Sequence, residues 1–179
     1  MQELIRSDGQ DQGGEKMPSF DEEFMKAQGI PIKYNNWELI RINRIPVQKI
    51  FSGYLKIIST NSEWKQAVCF NVNGKLIVPS PLGEPIEGKK FIIWADDLGD
   101  EILPFKGTSK DLQFTVYNAW EDISRAKFTE QTGQRYSDSW LGGAAMIVEV
   151  DGNTRRYRCN DGHPDDNFDD IVFEITIDE

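Results

Sequence analysis

Cysteine and histidine are scarce in this sequence, which limits the metal and disulfide chemistry it can support. The chain has 179 residues, with two cysteines, Cys69 and Cys159, and one histidine, His163. A structural zinc site needs Cys or His ligands at characteristic spacings, and no Cys-x-x-Cys pair is present, so zinc is not expected. Both cysteines fall in strand-like segments, which favours two buried free thiols, although the sequence leaves a bridge between them open.

The sequence also lacks a long apolar run. No segment approaches the roughly 18 consecutive apolar residues of a transmembrane helix. The beginning of the chain has no basic-then-apolar layout of the kind that marks a secretory signal. We therefore expect no membrane partner, and either a cytoplasmic protein or one that is exported without a recognisable signal peptide.

Basic residues are missing from the end of the chain. The formal net charge is −10, and the segment 161–179 holds eight acidic residues without a single Lys or Arg. The remaining 160 residues are nearly balanced, at −2. A protein that binds nucleic acid needs a basic surface, so no nucleic-acid partner is expected. The negative charge instead directs attention to one acidic segment.

Long helical periodicity is absent after residue 30, and short segments of alternating polarity take its place. Two dipeptides, Asn73-Gly74 and Asp151-Gly152, supply the positive φ angles that two-residue hairpin turns require. About ten short strands joined by turns predict an all-β fold, a β-sandwich of the jelly-roll or Greek-key type. The predicted strands are 37–43, 49–59, 64–72, 74–79, 90–95, 101–105, 112–120, 144–150, 153–159 and 171–177.

The beginning of the chain differs from the rest in composition. Residues 1–30 are polar and rich in Gly, Gln and Glu, so we expect a flexible N-terminal arm. The arm contains at most one short helix, for which Ser19 is the predicted N-cap. Residues 31–179 form the single predicted domain, of a size at which one hydrophobic core suffices.

The segment 160–170, called the acidic loop below, joins two of the predicted strands and contains five aspartates. Two unit charges about 4 Å apart repel by about 1 kcal/mol even in bulk water. Because strands fix both ends of the loop, a cation would offset this repulsion. Calcium prefers about six to eight oxygen ligands from carboxylates, amides and carbonyls. The sequence therefore predicts a calcium site, whose candidate ligands are Asp161, Asp165, Asp166, Asn167, Asp169 and Asp170.

The order of residues in DGHPDDNFDD, followed by the alternating strand IVFEITI, resembles the calcium loop of the small bacterial calcium-dependent lectins. Those lectins are β-sandwiches that bind fucose or mannose directly through two adjacent calcium ions. A similar aspartate-rich ending closes calcium-binding β-sandwich domains of large bacterial surface proteins. The resemblance covers about 17 residues, and it departs from the lectin pattern in one extra residue near Pro164 and in Asn167, where aspartate is usual.

This resemblance implies that most oxygen-bearing side chains of the loop hold metal, with Phe168 packed beneath them. The implied ligands are Asp165, Asn167, Asp169 and Asp170, assisted by Asp161 or Asp166. In the lectins the C-terminal carboxylate of a neighbouring subunit also reaches the metal. Because Glu179 stands about one strand after the motif, the resemblance extends to a homo-oligomer built in the same way.

An acidic loop can also exist without a metal. It could be solvated, or it could be neutralised by arginines, since Arg156 and Arg158 share one face of the preceding strand. Paired aspartates could instead hydrolyse a bond, but that function depends on their separation in space, which a sequence does not give. Because nothing in the sequence identifies such a pair, we expect no enzyme activity.

Weaker candidates for ligand binding lie outside the loop. Asp96 and Asp97 belong to a second acidic turn, residues 94–101, which could complete a metal cage if the fold brings it to the loop. Trp140 is expected to be exposed and could stack on a sugar ring. The expected function is a non-enzymatic, calcium-dependent binding module for a carbohydrate or a protein partner. The alternative is a structural or protein-interaction domain of a bacterial assembly, in which calcium only rigidifies the loop.

Overall fold

The computed structural model describes residues 19–178, and β-strands make up most of this range. Within it, three α-helices span Asp21–Ala27 (α1), Ala95–Leu98 (α2) and Ala126–Thr132 (α3), and a 3-10 turn spans Ile123–Arg125. The strands are Ile32–Tyr34 (β1), Trp37–Leu39 (β2), Asn43–Pro46 (β3), Ile50–Thr60 (β4), Gln66–Val78 (β5), Ile86–Trp94 (β6), Ile102–Glu121 (β7), Ser137–Asp138 (β8), Ala145–Asp151 (β9), Thr154–Asn160 (β10) and Ile171–Ile177 (β11). No helix in the described range has the length and apolar character needed to cross a lipid bilayer.

Nine strands of the described chain form one antiparallel sheet. Its order is β6-β5-β7-β4-β11-β10-β9, with β3 and β8 added along β7, while β1 and β2 pair separately. The 20-residue β7 pairs with β4 through its first half and with β3 through its second half, so the sheet bends into two layers. Across the interior, the Asn118 amide donates to the Asn160 carbonyl oxygen (2.9 Å) and the Gln66 amide donates to the Asp161 carboxylate (3.0 Å). The predicted all-β sandwich is confirmed, and both layers belong to one continuous sheet.

The hydrophobic core lies between the layers and is dominated by aromatic rings. Phe70, Phe105 and Phe114 are almost fully buried, with ring centroids 5.1–5.2 Å apart. The alternating isoleucine and phenylalanine side chains of β11, which coincides with the predicted strand IVFEITI, are buried in the same core. Cys69 and Cys159 are buried and free, the arrangement that the sequence favoured.

The structure contradicts the prediction of a hairpin turn at Asn73-Gly74. The two segments on either side form a single strand, β5, whose register against β7 shifts between Val72 and Gly74. A Cβ on Gly74 would collide with the Thr108 carbonyl oxygen. The glycine is therefore needed for the close approach of two strands at an irregularity, which is another common use of glycine in sheets.

The strands predicted at 101–105 and 112–120 also merge, into β7. The chain bends between them, where Leu112 adopts a positive φ of 59° and is exposed. The second predicted hairpin is confirmed, since β9 pairs with β10, but its turn lies one residue later than predicted: Asp151 pairs with Thr154, and Gly152, whose φ is 59°, and Asn153 form the turn. Local sequence thus identified the extended segments correctly but overestimated how many separate strands they form.

The predicted N-terminal arm lies only partly in the described residues, since 1–18 fall outside them, as does Glu179 at the other end. The remainder of the arm packs on the domain through α1, and the side chain of Phe20 is only 3% exposed. Phe20 rather than Ser19 occupies the N-cap position, and no side chain of the described residues caps the helix. Burial of an aromatic side chain contributes about 1.5–3 kcal/mol, which outweighs the typical contribution of a cap of about 1 kcal/mol. The packed domain therefore begins before Pro31, the predicted boundary.

Candidate functional site

The acidic loop connects β10 to β11 at one rim of the sandwich. Asn160, at the end of β10, organises its backbone: Oδ1 accepts the Phe168 N–H (2.7 Å) and Nδ2 donates to the Asp165 carbonyl oxygen (2.8 Å). Phe168 has a φ of 52°, and this left-handed conformation costs roughly 1–2 kcal/mol for a residue other than glycine. Its ring is 2% exposed, and burial of the ring offsets that cost.

Two carboxylates of the loop, those of Asp161 and Asp170, are buried, with 1% and 4% of the residue exposed. Asp161 accepts hydrogen bonds from the Ser62 hydroxyl (2.7 Å), the Gln66 amide (3.0 Å) and the His163 N–H (2.8 Å). Asp170 accepts the Asp161 N–H on Oδ2 (2.8 Å). Buried carboxylates are usually paired with a positive charge or a metal, whereas the donors to these two within the described chain are all neutral.

Two further carboxylates of the loop carry buried oxygens that lack a hydrogen-bond donor. Asp165 Oδ1 and Asp169 Oδ1 have no partner among the described residues, although Asp169 Oδ2 accepts from the Asn61 amide (2.9 Å). Gln66, whose Nε2 donates to Asp161, has an unpartnered Oε1 as well. An unsatisfied buried oxygen costs about 1–3 kcal/mol. The acidic loop and the adjacent Gln66 therefore carry buried oxygens without hydrogen-bond donors, and the hydrogen bonds to Asp161 and Asp170 come from neutral groups.

Burial and neighbouring carboxylates raise the pKa values of two of these side chains, Asp165 and Asp170. Burial first, and then the carboxylates of Asp161, Asp165 and Asp169, raise the pKa of Asp170 to about 7, against the lowering effect of the hydrogen bond from the Asp161 N–H. Burial is also the largest cause of the raised pKa of Asp165, and Asp161 and Asp169 add to it. Neighbouring carboxylates of the loop thus oppose the ionisation of Asp165 and Asp170.

The other two predicted ligands, Asp166 and Asn167, are exposed. Asp166 Oδ2 accepts a hydrogen bond from the Tyr34 hydroxyl of β1 (3.0 Å). Asn167 lines the same cavity as Asp165 and Asp170, of about 250 Å³. The structure therefore places Asp161, Asp165 and Asp170 around one cavity that Asn167 also lines, leaves Asp169 outside its lining, and bonds Asp166 to β1.

Arginines of the preceding strand are engaged elsewhere. Arg156 forms an ion pair with Glu174 on the adjacent strand (3.2 Å), and Arg158 lies over the ring of Trp37 (5.4 Å). Across residues 19–178, no Lys or Arg forms an ion pair with an aspartate of the loop. The same part of the chain contains no group of three or more His, Cys, Asp or Glu side chains already arranged to hold a metal ion.

The aspartates of the second acidic turn, residues 94–101, form ion pairs with basic side chains of the protein. Asp96 pairs with Arg135 (2.9 Å) and Lys65 (3.3 Å), and Asp97 pairs with Arg135 (3.2 Å). Burial works against the ionised form of Asp96, but the bonds and charges of Arg135 and Lys65 outweigh it and lower its pKa. These carboxylates are therefore already paired with basic side chains, and their part in a metal cage or in ligand binding stays a prediction.

Trp140 is 41% exposed, in agreement with the prediction of an exposed ring. The inner side of the ring lies against Tyr117, with centroids 4.7 Å apart. The backbone adopts a φ of 61°, and the Trp140 carbonyl oxygen accepts a hydrogen bond from Arg41 (2.9 Å). A role for this ring in ligand binding stays a prediction.

Three residues beside the loop, at the connection from β4 to β5, were not predicted from the sequence. Asn61, Ser62 and Gln66 bond to loop aspartates that are about a hundred positions away in the chain. No sequence signal marks them, because isolated polar residues occur in most loops. A second cavity, of about 410 Å³, adjoins the one over the acidic loop, and Ser62, Glu63 and Trp64 line both.

Comparisons with known proteins add no family to this description. No protein-family model matches the chain, and no curated protein or solved structure matches it either. The function is therefore inferred from the geometry and electrostatics of the acidic loop.

Proposed function

We propose that this protein is a calcium-binding, non-enzymatic β-sandwich module whose acidic loop holds the metal. The observation that carries this proposal is the pair of buried carboxylate oxygens without donors in the described chain, Asp165 Oδ1 and Asp169 Oδ1, beside the buried Asp161 and Asp170. A divalent cation would supply what these oxygens lack, because it neutralises negative charge and takes up lone pairs that no N–H or O–H reaches.

The donor set suits a hard cation. Apart from the imidazole of His163, which also lines the cavity, the available ligand atoms are oxygens, whereas zinc and copper sites draw on nitrogen and sulfur. Calcium tolerates irregular geometry, while magnesium demands a near-octahedral shell and keeps most of its water. Asp165, Asp169 and Asp170 would hold the ion, and Asn167 would add its amide oxygen. Asp161 would support them, since three donors already fix its carboxylate.

Bound calcium would join two connections of the fold. Asn61 and Ser62, between β4 and β5, already bond to Asp169 and Asp161. An ion held by the loop would rigidify this contact between the acidic loop and the connection from β4 to β5. In one version of the proposal, this stiffening is the only role of calcium, and the protein is a structural or protein-interaction domain. The burial of Asp161 and Asp170 favours this version.

Calcium-dependent recognition of a carbohydrate is the second version, and the adjoining cavities favour it. The cavity over the loop continues into the larger one past Trp64, whose ring offers a face for stacking on a sugar. Polar side chains, including Ser62 and Glu63, line the passage. Because the surrounding charge is mostly negative, a neutral sugar fits better than an anionic one. A second copy of the chain or another protein partner remains the alternative occupant.

Thermal melting of the wild-type protein with calcium and with EDTA tests the metal. Millimolar calcium on a micromolar site should raise the free energy of unfolding by about 4 kcal/mol. For a chain of this length the melting temperature should rise by about 8–16 °C, and EDTA should reverse the rise. No shift in the melting temperature, together with no heat of binding in a calorimetric titration, would contradict the proposal.

A glycan array separates the two versions. Sugar binding that disappears in EDTA would support recognition, and a calcium-bound protein that binds no glycan would support the structural role. Magnesium in place of calcium is the matched control, and it should restore neither the melting shift nor the sugar binding.

A further inference from the structure

Helix α1 lies against the underside of the acidic loop. The ring of Phe20 stacks on that of Phe168 (centroids 6.5 Å apart, planes at 24°) and meets Tyr34 edge-on (5.0 Å). These rings belong to a small hydrophobic cluster that is separate from the main core. Its buried members are Phe20, Leu39, Ala145, Ile147 and Phe168. The loop is therefore supported from below by side chains of α1, β2 and β9.

A second set of contacts ties α1 to the loop through two glycines. The Asp21 carboxylate accepts the Gly142 N–H (3.1 Å) and a hydrogen bond from Arg41 (2.9 Å). Arg41 also donates to the Gly142 carbonyl oxygen (2.9 Å). Next along the chain, the Gly143 N–H donates to the Gly162 carbonyl oxygen of the loop (3.3 Å). A Cβ on either Gly142 or Gly143 would collide with the loop backbone, so this contact excludes any larger residue.

Phe168 stands between two oxygen-bearing neighbours, Asn167 and Asp169. Its backbone is left-handed, its N–H is bonded to Asn160 and its ring packs on Phe20, so these contacts together fix the backbone that carries the neighbouring side chains. The hydroxyl of Tyr34, whose ring packs against the same cluster, donates to the Asp166 carboxylate (3.0 Å). Whatever holds the Phe168 ring therefore also orients the carboxylates.

We propose that Phe20 and Tyr34 are positioning residues of the acidic loop, so that docking of α1 and binding of a metal ion by the loop are coupled. The coupling rests on the proposed calcium site, whereas the support of the loop by α1 does not. Coupling between two equilibria is reciprocal: the factor by which docked α1 tightens calcium binding equals the factor by which calcium tightens docking. Coupled sites commonly show factors of about 5 to 150, and we expect about tenfold here.

Hydrogen exchange in EDTA tests the support of the loop without any metal. The N–H groups of Asp161 and Phe168 are both bonded to buried partners within the loop. Phe20→Ala should speed their exchange about tenfold, and Tyr34→Phe, which removes only the hydroxyl, should speed it about twofold. Met25→Ala is the matched control, because Met25 is on α1 but is 70% exposed, and it should change nothing.

Calorimetric titration with calcium then tests the coupling. Phe20→Ala should weaken calcium binding, with a dissociation constant about tenfold higher, and Met25→Ala should leave it unchanged. In the wild-type protein, saturating calcium should slow exchange of the Phe24 N–H, which is bonded to the Phe20 carbonyl oxygen, by the same factor. A residue with a merely structural role would lower stability without making these two factors equal.

Each outcome decides one part of the proposal. Unchanged loop exchange and unchanged calcium affinity in Phe20→Ala would overturn it. If Phe20→Ala does not fold, Tyr34→Phe and the exchange measurement on the wild-type protein decide instead. If the wild-type protein binds no calcium, the proposed function fails, and the exchange measurement in EDTA still shows whether α1 positions the loop.

Discussion

The acidic loop and the turn at residues 94–101 are both rich in aspartate, but their carboxylates meet different partners. In the turn, Asp96 and Asp97 pair with Arg135 and Lys65, and the pKa of Asp96 is lowered because these cations outweigh the effect of burial. In the loop, burial and neighbouring carboxylates raise the pKa of Asp170 to about 7. The turn has internal cations, whereas no Lys or Arg of the described residues pairs with the loop.

This contrast shows that the number of acidic residues does not identify a cation site. A surface carboxylate that already pairs with Arg or Lys has little to gain from calcium. Calcium gives a buried carboxylate with an unpaired oxygen a partner, and it also offsets the repulsion from neighbouring carboxylates. Three sets of variants test the difference between the loop and the turn, and the one with the largest expected effect comes first.

The largest effect should come from neutralising each segment in the presence of calcium. Asp169→Asn with Asp170→Asn should abolish the calcium-dependent gain of about 4 kcal/mol in the free energy of unfolding. Asp96→Asn with Asp97→Asn removes the same charge from the turn and should leave that gain intact. Thermal melts of both double variants with calcium and with EDTA provide the measurement. Equal loss in the two variants would mean that calcium acts through overall charge rather than through the loop.

A smaller effect should appear in the pH dependence of the metal-free protein. The folded-state pKa of Asp170, about 7, lies above its unfolded value of 3.8, so the folded protein holds the proton more tightly between these values. Stability from this group is therefore lost as the pH rises from about 4 to about 7. We expect a loss of about 2 kcal/mol between pH 4 and pH 8, roughly half of the full value for a shift of this size, because the loop can relax and admit water.

Urea denaturation in EDTA at several pH values measures this loss, and Asp170→Asn should flatten the profile. The turn should contribute nothing in that range, since the lowered pKa of Asp96 gives stability that is lost only as the pH falls below about 4. A profile that stays steep in Asp170→Asn and flattens in Asp96→Asn would reverse the comparison.

The smallest expected effect is on the free energy of unfolding of two single variants, which should change in opposite directions. In EDTA, Asp165→Asn should stabilise the protein by about 1 kcal/mol, because it removes one of four mutually repelling charges. Asp96→Asn should destabilise it by up to about 1 kcal/mol, the usual upper value for an exposed ion pair. Free energies of unfolding from matched urea titrations supply the comparison. Destabilisation by Asp165→Asn would indicate that its carboxylate is satisfied without a metal.

Several features of the fold could be read from local sequence because they depend on neighbouring residues. Alternation of polarity identified β11 correctly, and the pair Asp151-Gly152 identified the hairpin between β9 and β10. The same reasoning failed at Asn73-Gly74, where the glycine serves a contact with β7. A turn and a close approach of strands both require the absence of a side chain, so the dipeptide alone does not distinguish them.

The sequence alone identified most of the extended segments and the five aspartates in one loop between two strands. The folded structure was needed to show which of these aspartates share a cavity, and that Asn61, Ser62 and Gln66 reach the loop while Arg156 and Arg158 do not. The physical reason is distance. Ionisation and metal binding depend on charges within a few ångströms of one another, and the bending of a long sheet brings together residues that lie far apart in the chain.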